Sequence, residues 1–236
     1  MKTAVYGKIK IMTETKIFNI KKKILGKNDQ MAQNLRDEFA RHNVFVANLV
    51  SSPGAGKTEL LQATMQELRK NYMPAAVTGD LATENDARRL TKSGSLAKQI
   101  LTGTMCHLEV DMVQNAIQDW DLAELDFLFI ENVGNLVCPG DFDLGEDMRV
   151  MLIATTEGED KPLKYPTLIS TCDVVVINKM DIAAAVECDV ALLERNIHEV
   201  RPGVPIFKTS AKKGFGIDAW TAFLVDQFEA KKAVAA

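Results

Sequence analysis

The sequence predicts an α/β fold: a doubly wound, mostly parallel seven-stranded sheet with helices on both faces. Three observations carry that expectation. Seven short apolar runs are nearly continuous and do not alternate with polar residues, as expected of strands covered on both faces. Helical stretches separate these runs along the whole chain, the alternation that builds a parallel sheet through right-handed crossovers. The first run ends in a Gly-rich turn that opens at once into a helix.

The elements follow in order. Residues 1–27 form a weakly patterned, Lys-rich extension whose Lys21-Lys22-Lys23 run reads as a solvated charge cluster. Residues 28–236 form the main domain, beginning with a packing helix capped by Asn28 or Asp29 and carrying the stripe Met31, Leu35 and Phe39. The strands are Val44–Val50, Ala75–Gly79, Ala97–Leu101, Leu125–Glu131, Val150–Thr155, Val174–Asn178 and Ile206–Thr209. Helices are expected at Glu59–Arg69, Asp86–Ser93, His107–Trp120, about Lys161–Thr171, Glu187–Val200 and Ile217–Lys232, with Lys231 to Ala236 fraying. No internal repeat or Pro/Gly/Ser-rich linker interrupts the pattern.

Composition narrows the function classes. A chain of 236 residues with 47% hydrophobic and 25% charged residues is long enough for a sizeable core. The formal net charge of -4 argues against nucleic-acid binding. No apolar run is long enough to span a bilayer and no signal-peptide core is evident, so a cytoplasmic, reduced setting is expected. Four Cys in such a chain point to packing, metal or catalysis and not to a disulfide framework.

Ligands of doubly wound sheets sit at the carboxyl ends of the strands, and several strand ends carry nucleotide chemistry. The turn after the first strand supplies a phosphate cradle from Gly54, Ala55, Gly56, Lys57, Thr58 and Glu59. Gly54 and Gly56 let backbone N–H groups turn inward, and the following helix adds its positive end. Lys57 reaches the β- and γ-phosphates, and the Thr58 hydroxyl ligates Mg²⁺. Ser51 stands where the strict G-x-x-x-x-G-K-[ST] pattern has its first Gly, with Gly54 keeping the turn flexible.

Asn178-Lys179-Met180-Asp181 follows the sixth strand. Asp181 accepts from the two donors on the guanine edge, which adenine lacks, so it selects guanine. Lys179 lays its stem against the base, and Asn178 ties this loop to the cradle. Ser210-Ala211-Lys212 forms the companion loop near the guanine oxygen. Glu131 is placed for the Mg²⁺ shell, and Gly134 for donation of a backbone N–H to the γ-phosphate. Asp80 either joins the Mg²⁺ shell or orients the attacking water. Lys57, Asp80, Glu131 and Gly134 are thus the catalytic set. Asn135, not Gln, follows Gly134, and Arg88 and Arg89 read as structural or surface residues. Slow hydrolysis and a switch role are expected.

Cys106, His107 and Cys138 form a second constellation, with Cys106 opening the fourth expected helix, where its thiolate is favoured. Thiolate and imidazole suit Zn²⁺ and Ni²⁺, but three ligands leave a tetrahedral site incomplete without a second copy or a labile fourth ligand. Core packing or chance explains many Cys-His pairs equally well. The position of Cys138, four residues beyond Gly134, favours the metal reading. Cys172 and Cys188 read as core or surface thiols.

Taken in order, Ser51 to Thr58, Gly79 to Thr83, Thr102 to Leu108, Glu131 to Pro139, Glu157 to Pro166 and Asn178 to Asp181 resemble the HypB family of nickel-insertion GTPases, over about residues 28–229. The urease-accessory GTPases are less similar, because they carry a Cys-Pro-His motif. The resemblance implies a P-loop GTPase domain that binds GTP/GDP and Mg²⁺, hydrolyses GTP slowly and dimerises with GTP. It also implies Ni²⁺ (or Zn²⁺) at the dimer face on Cys106, His107 and Cys138. The implied partners are a HypA-type metallochaperone and a hydrogenase large-subunit precursor. Lys161 or Lys164 is implied near the partner's nucleotide. Residues 1–43 contain no Cys and only His42, so the Cys-rich or His-rich N-terminal nickel motifs of some members are not expected. Asp111 and Asn115 stand where some members place further His. Competing readings are a GTPase that gates a protein partner, service to another nickel enzyme such as urease, and a small-molecule P-loop kinase.

Overall fold

The computed structural model describes residues 26–80, 85–91 and 94–235. The Lys21-Lys22-Lys23 run, with nearly all of the expected extension, lies outside the described residues. A first helix, α1 (residues 26–41), leads into β1 (Phe45–Ser51), α2 (Lys57–Leu68), β2 (Pro74–Asp80), α3 (Asn85–Thr91) and β3 (Leu96–Leu101). The chain continues through α4 (Val110–Ile117), β4 (Phe127–Glu131), β5 (Met148–Ala154), α5 (Lys161–Lys164) and α6 (Pro166–Thr171). It closes with β6 (Val174–Asn178), α7 (Val190–Val200), β7 (Ile206–Lys208) and α8 (Ile217–Ala235).

The seven strands form one sheet in the order β3-β2-β4-β1-β5-β6-β7. Every pairing is parallel, so the sheet is wholly and not mostly parallel. β1 enters at the centre, and the chain winds outward first on one side and then on the other. The ends of β1, β2, β4 and β6 therefore meet in one crevice, as doubly wound sheets require.

Period-two geometry divides the strand side chains between two layers. Phe45, Ala47 and Leu49 of β1 face the layer of α2, α3 and α8, where Leu60, Leu90, Trp220 and Phe228 are buried. Val46 faces α1 and α4, and Val50 on the same side joins the cluster of α6 and α7. β1, β4 and β6 are buried throughout, whereas the edge strands β3 and β7 are half-exposed. Lys98 and Gln99 in β3 are edge residues, so the apolar continuity expected there fails at the margin of the sheet.

Several helix boundaries differ from expectation for local reasons. The helix after β5 splits at Pro166, which has no N–H for a continuous ladder. α7 begins at Val190 because Asp189 caps it, accepting from the Leu192 N–H at 2.9 Å. α4 begins at Val110, three residues after His107. α8 does not fray where expected: Lys231 Nζ donates to the Val44 carbonyl at 2.6 Å and to Asp147 at 2.7 Å.

Asn28 does not cap its own helix, because α1 already includes it. Its side chain is 7% exposed and joins three segments. Nδ2 donates to the Asp143 carbonyl at 2.8 Å, and Oδ1 accepts from the Val110 N–H at 3.4 Å. Asn28 thus caps α4, whose own Glu109 makes no side-chain cap. The buried stripe of α1 is Ala32, Leu35 and Phe39, with Met31 at its margin. Asn28→Ala leaves two buried backbone groups without partners and is expected to cost about 1–3 kcal/mol. Urea unfolding checks this as a lower midpoint at unchanged slope.

Candidate functional site

The turn between β1 and α2 is built on two left-handed glycines, Gly54 (φ 77°) and Gly56 (φ 97°). A Cβ at Gly56 would lie 2.6 Å from Asn178 Nδ2, so no side chain fits there. That same Nδ2 donates to the Ala55 carbonyl at 3.1 Å. Ser51 serves as more than a tolerated substitute for glycine. It is fully buried, keeps an ordinary φ, donates to the Ser52 carbonyl at 2.6 Å and accepts from Lys57 Nζ at 3.0 Å. The strand-end serine therefore holds the lysine over the turn.

Lys57, Thr58, Asp80, Glu131 and Gly134 all line one cavity of about 460 Å³ beside this turn. Thr58 donates to Glu131 Oε1 at 2.7 Å, joining the start of α2 to the end of β4. Hydroxyl and carboxylate oxygens at this spacing are the hard donors that Mg²⁺ takes. A Cβ at Gly134 would meet the Pro53 backbone at 3.0–3.1 Å, so the loop after β4 rests tightly against the turn at this glycine. Arg89, expected as a structural or surface residue, lines this cavity and pairs with Glu59 of α2. Its sequence neighbourhood gave no signal, because α3 brings it back only through the crossover.

A second cavity of about 350 Å³ adjoins the first, with Gly56 and Glu59 common to both. It gathers Asn178, Lys179, Asp181, Ser210, Ala211 and Lys212. Asn178 Oδ1 accepts from Thr209 Oγ1 at 3.1 Å and from the Ala211 N–H at 3.2 Å. Lys179, itself left-handed at φ 63°, donates from Nζ to the Gly54 carbonyl at 2.7 Å. Asp181 accepts from Ser210 Oγ at 2.6 Å, which turns its carboxylate toward the companion loop. The two sequence-distant loops thus share one pocket.

Cys106, His107 and Cys138 converge, with one ligand atom from each lying within 4.8 Å of the others. Cys106 Sγ is 2.8 Å from Cys138 Sγ and 3.8 Å from His107 Nδ1. Cys106 and His107 occupy a bend ahead of α4, so the helix-end argument for the Cys106 thiolate does not apply. The hydrogen bond with Cys106, and then burial, raise the Cys138 thiol above its ordinary pKa. His107 stacks on Phe142 with ring centres 3.9 Å apart, and its buried Nε2 makes no hydrogen bond and lies 3.5 Å from Glu109 Oε1. Two sulfurs and an imidazole form a donor set suited to Zn²⁺ or Ni²⁺.

The turn that begins at Cys138 is held from below by Arg149, whose guanidinium donates to the Gly140 carbonyl at 3.1 Å and the Phe142 carbonyl at 2.9 Å. Glu146 balances that charge at 2.8 Å, with the two side chains only 12% and 6% exposed. Glu157 is a further residue that sequence reading missed. It accepts from Ser52 of the turn and from the Ala154 N–H, and Lys161 Nζ lies 3.5 Å away. Of the two expected interface lysines, Lys161 is thereby tied to the cradle, while Lys164 pairs at the surface with Asp160.

Cys172 and Cys188 stand apart from this cluster. Cys172 is fully buried, donates to the Ile169 carbonyl, and burial pushes its thiol up from 9.0 to about 12. A raised pKa means that the protonated thiol favours the folded state below about pH 9, and that this contribution is lost as pH rises toward 12. At pH 8 the folded protein is therefore expected to expose three reactive thiols to an aromatic disulfide reagent, with Cys172 reacting only after unfolding. A fourth fast equivalent would contradict this.

Known proteins match this arrangement. The family described as CobW/HypB/UreG, nucleotide-binding domain, matches residues 45–208. Hydrogenase maturation factor HypB of Rhizobium leguminosarum bv. viciae is 42% identical over 213 residues, 90% of this chain and 71% of that protein. Hydrogenase/urease maturation factor HypB of Helicobacter pylori is 39% identical over 212 residues, 88% of this chain and 87% of that protein. A crystal structure of HypB from Helicobacter pylori in complex with nickel superposes with a TM-score of 0.82 at 38% identity, covering 86% of this chain and 96% of that one. The signal recognition particle 54 kDa protein of Aeropyrum pernix in complex with GDP, at 13% identity and a TM-score of 0.55, shares the fold. It covers 82% of this chain and 49% of that one. The chain belongs to the HypB family of hydrogenase maturation factors, within the CobW/HypB/UreG nucleotide-binding group.

Proposed function

We propose that the protein is a GTP-hydrolysing nickel metallochaperone that works as a nucleotide-dependent dimer and delivers Ni²⁺ during [NiFe]-hydrogenase maturation. One observation carries the reading. Cys138, one of the three converging ligands, lies on the loop whose Gly134 rests against the phosphate turn.

In this reading the cradle from Gly54 to Glu59 holds the phosphates, with Lys57 moving from Ser51 to the β- and γ-phosphates. Thr58 and Glu131 would hold Mg²⁺, which would supply neutralising charge to the phosphates. Asp80 orients water, and the Gly134 N–H binds a γ-phosphate oxygen. Asn178, Lys179 and Asp181, with Ser210 to Lys212, hold guanine and reject adenine, which disfavours a small-molecule kinase. Hydrolysis to GDP and phosphate removes the partner of the Gly134 N–H, and the loop carrying Cys138 is released. Nickel is the cargo. Cys106, His107 and Cys138 offer it two thiolates and the Nδ1 of an imidazole whose other nitrogen lies 3.5 Å from Glu109 Oε1. A second copy completes the shell, with Lys161 or Lys164 near the partner's nucleotide. A HypA-type metallochaperone, a hydrogenase large-subunit precursor and a cytoplasmic setting complete the reading. Among the described residues no helix is long and apolar enough to cross a membrane. The relative named for both hydrogenase and urease maturation leaves urease as a second client.

Two measurements test it. In the Cys106→Ala/Cys138→Ala protein, calorimetric titration with Ni²⁺ is expected to show at least a tenfold loss of affinity, in the range seen when metal-site residues are removed; unchanged affinity would sink the site assignment. Asp181→Ala is expected to weaken GTP binding by roughly 10²-fold or more, from two lost charge-assisted hydrogen bonds. ATP binding as tight as GTP in the native protein would overturn the base assignment.

A further inference from the structure

We infer that Asn132 positions the Cys106-His107 half of the metal site on the phosphate-facing loop, and so carries the nucleotide state to the metal ligands. The inference rests on the nickel-switch reading. Asn132 is 1% exposed and lies between Glu131 and Val133-Gly134. Its side-chain Oδ1 accepts from the Leu108 N–H at 3.1 Å and from the Val133 N–H at 3.0 Å. Leu108 directly follows His107, and its side chain packs on Gly79, where an added Cβ would lie 2.9 Å from it. One oxygen therefore pins the metal-bearing bend to the residue beside Gly134.

The other end of the same carboxamide reaches the second half of the site. Asn132 Nδ2 donates to Asn48 Oδ1 at 3.3 Å, and Asn48 Nδ2 donates to Glu146 Oε1 at 3.1 Å. That glutamate oxygen also accepts from Arg149, whose guanidinium holds the Gly140 and Phe142 carbonyls of the Cys138 turn. An amide is required here, because only Asn and Gln offer acceptor and donor on one short planar group. A leucine would leave the buried Leu108 and Val133 N–H groups without this acceptor, and an aspartate would present no donor to Asn48.

Cys138 follows Gly134 by four residues of chain, and Cys106 and His107 meet the far end of that loop through the Cys106–Cys138 contact and the His107–Phe142 stack. Asn132 adds a buried tie from their bend to the phosphate-facing end, beside Gly134. When the γ-phosphate is present, the loop, the bend and the Cys138 turn are held in one register; when it leaves, the carboxamide moves with Val133 and takes the Leu108 N–H with it. A purely structural plug would instead lower Ni²⁺ affinity equally in both nucleotide states.

The experiment compares Ni²⁺ affinity of the full chain with GDP and with a non-hydrolysable GTP analogue, for the native protein and Asn132→Ala. The native ratio is expected between about 5- and 150-fold, the usual span of coupling between sites; in the variant it falls below about twofold. Because a buried alanine can compromise folding, amide hydrogen exchange on the native protein without metal supplies a second reading. Protection of the Leu108 and Val133 amides is expected to change together between the two nucleotide states. A variant that keeps the native ratio overturns the inference and leaves the nickel switch standing. So does a Leu108 amide indifferent to a nucleotide that shifts Val133. A native ratio of one overturns both.

Discussion

The whole arrangement depends on the carboxamide of Asn178. From the end of β6 it donates to the Ala55 carbonyl in the phosphate turn and accepts from Thr209 and Ala211 beyond β7. Its nitrogen closes the space over Gly56, and the left-handed φ of that residue is a second, separate reason for glycine there. Phosphate turn, base loop and companion loop become one rigid frame. A buried amide that satisfies three partners contributes about 0.5–1.5 kcal/mol net per bond, and leaving those partners unpaired costs more. The frame is consequently the fixed part of the proposed switch.

In the proposed switch the moving part is the stretch from Glu131 to Phe142. It starts at a carboxylate bonded to Thr58, touches the turn at Gly134 and ends at a ring stacked on His107. The three candidate metal ligands thus sit on the segment that touches the phosphate turn and on the bend pinned to it. The buried Arg149–Glu146 pair under this stretch is better explained by positioning than by stability, because desolvation offsets much of the attraction in such pairs. Glu157 gives the frame a second outlet, from Ser52 toward Lys161.

Much of this was legible in the sequence because parallel strands buried on both faces leave unbroken apolar runs, and because a phosphate turn needs particular residues in a short window. The strand-end residues Asp80, Glu131 and Asn178 could be placed for the same reason. What escaped was long-range. Asn28 looks like a cap for its own helix but caps α4, a partner 82 residues away. Arg89 reads as a structural or surface residue, and its place on the cavity wall comes only from the crossover. Glu157 opens a recognisable run but, like Arg149, takes its role from groups supplied by other segments. The thiol-imidazole set was visible as residue types, but the 4.8 Å convergence comes from the fold alone.

The central claim is that the nucleotide state governs a metal site completed by a second copy. Its most direct test is the mass in solution together with the Ni²⁺ stoichiometry of the purified protein, measured with GDP and with a non-hydrolysable GTP analogue. The account predicts a shift toward dimer with the analogue, with bound nickel changing in step. The same mass and the same nickel content in both states would contradict it.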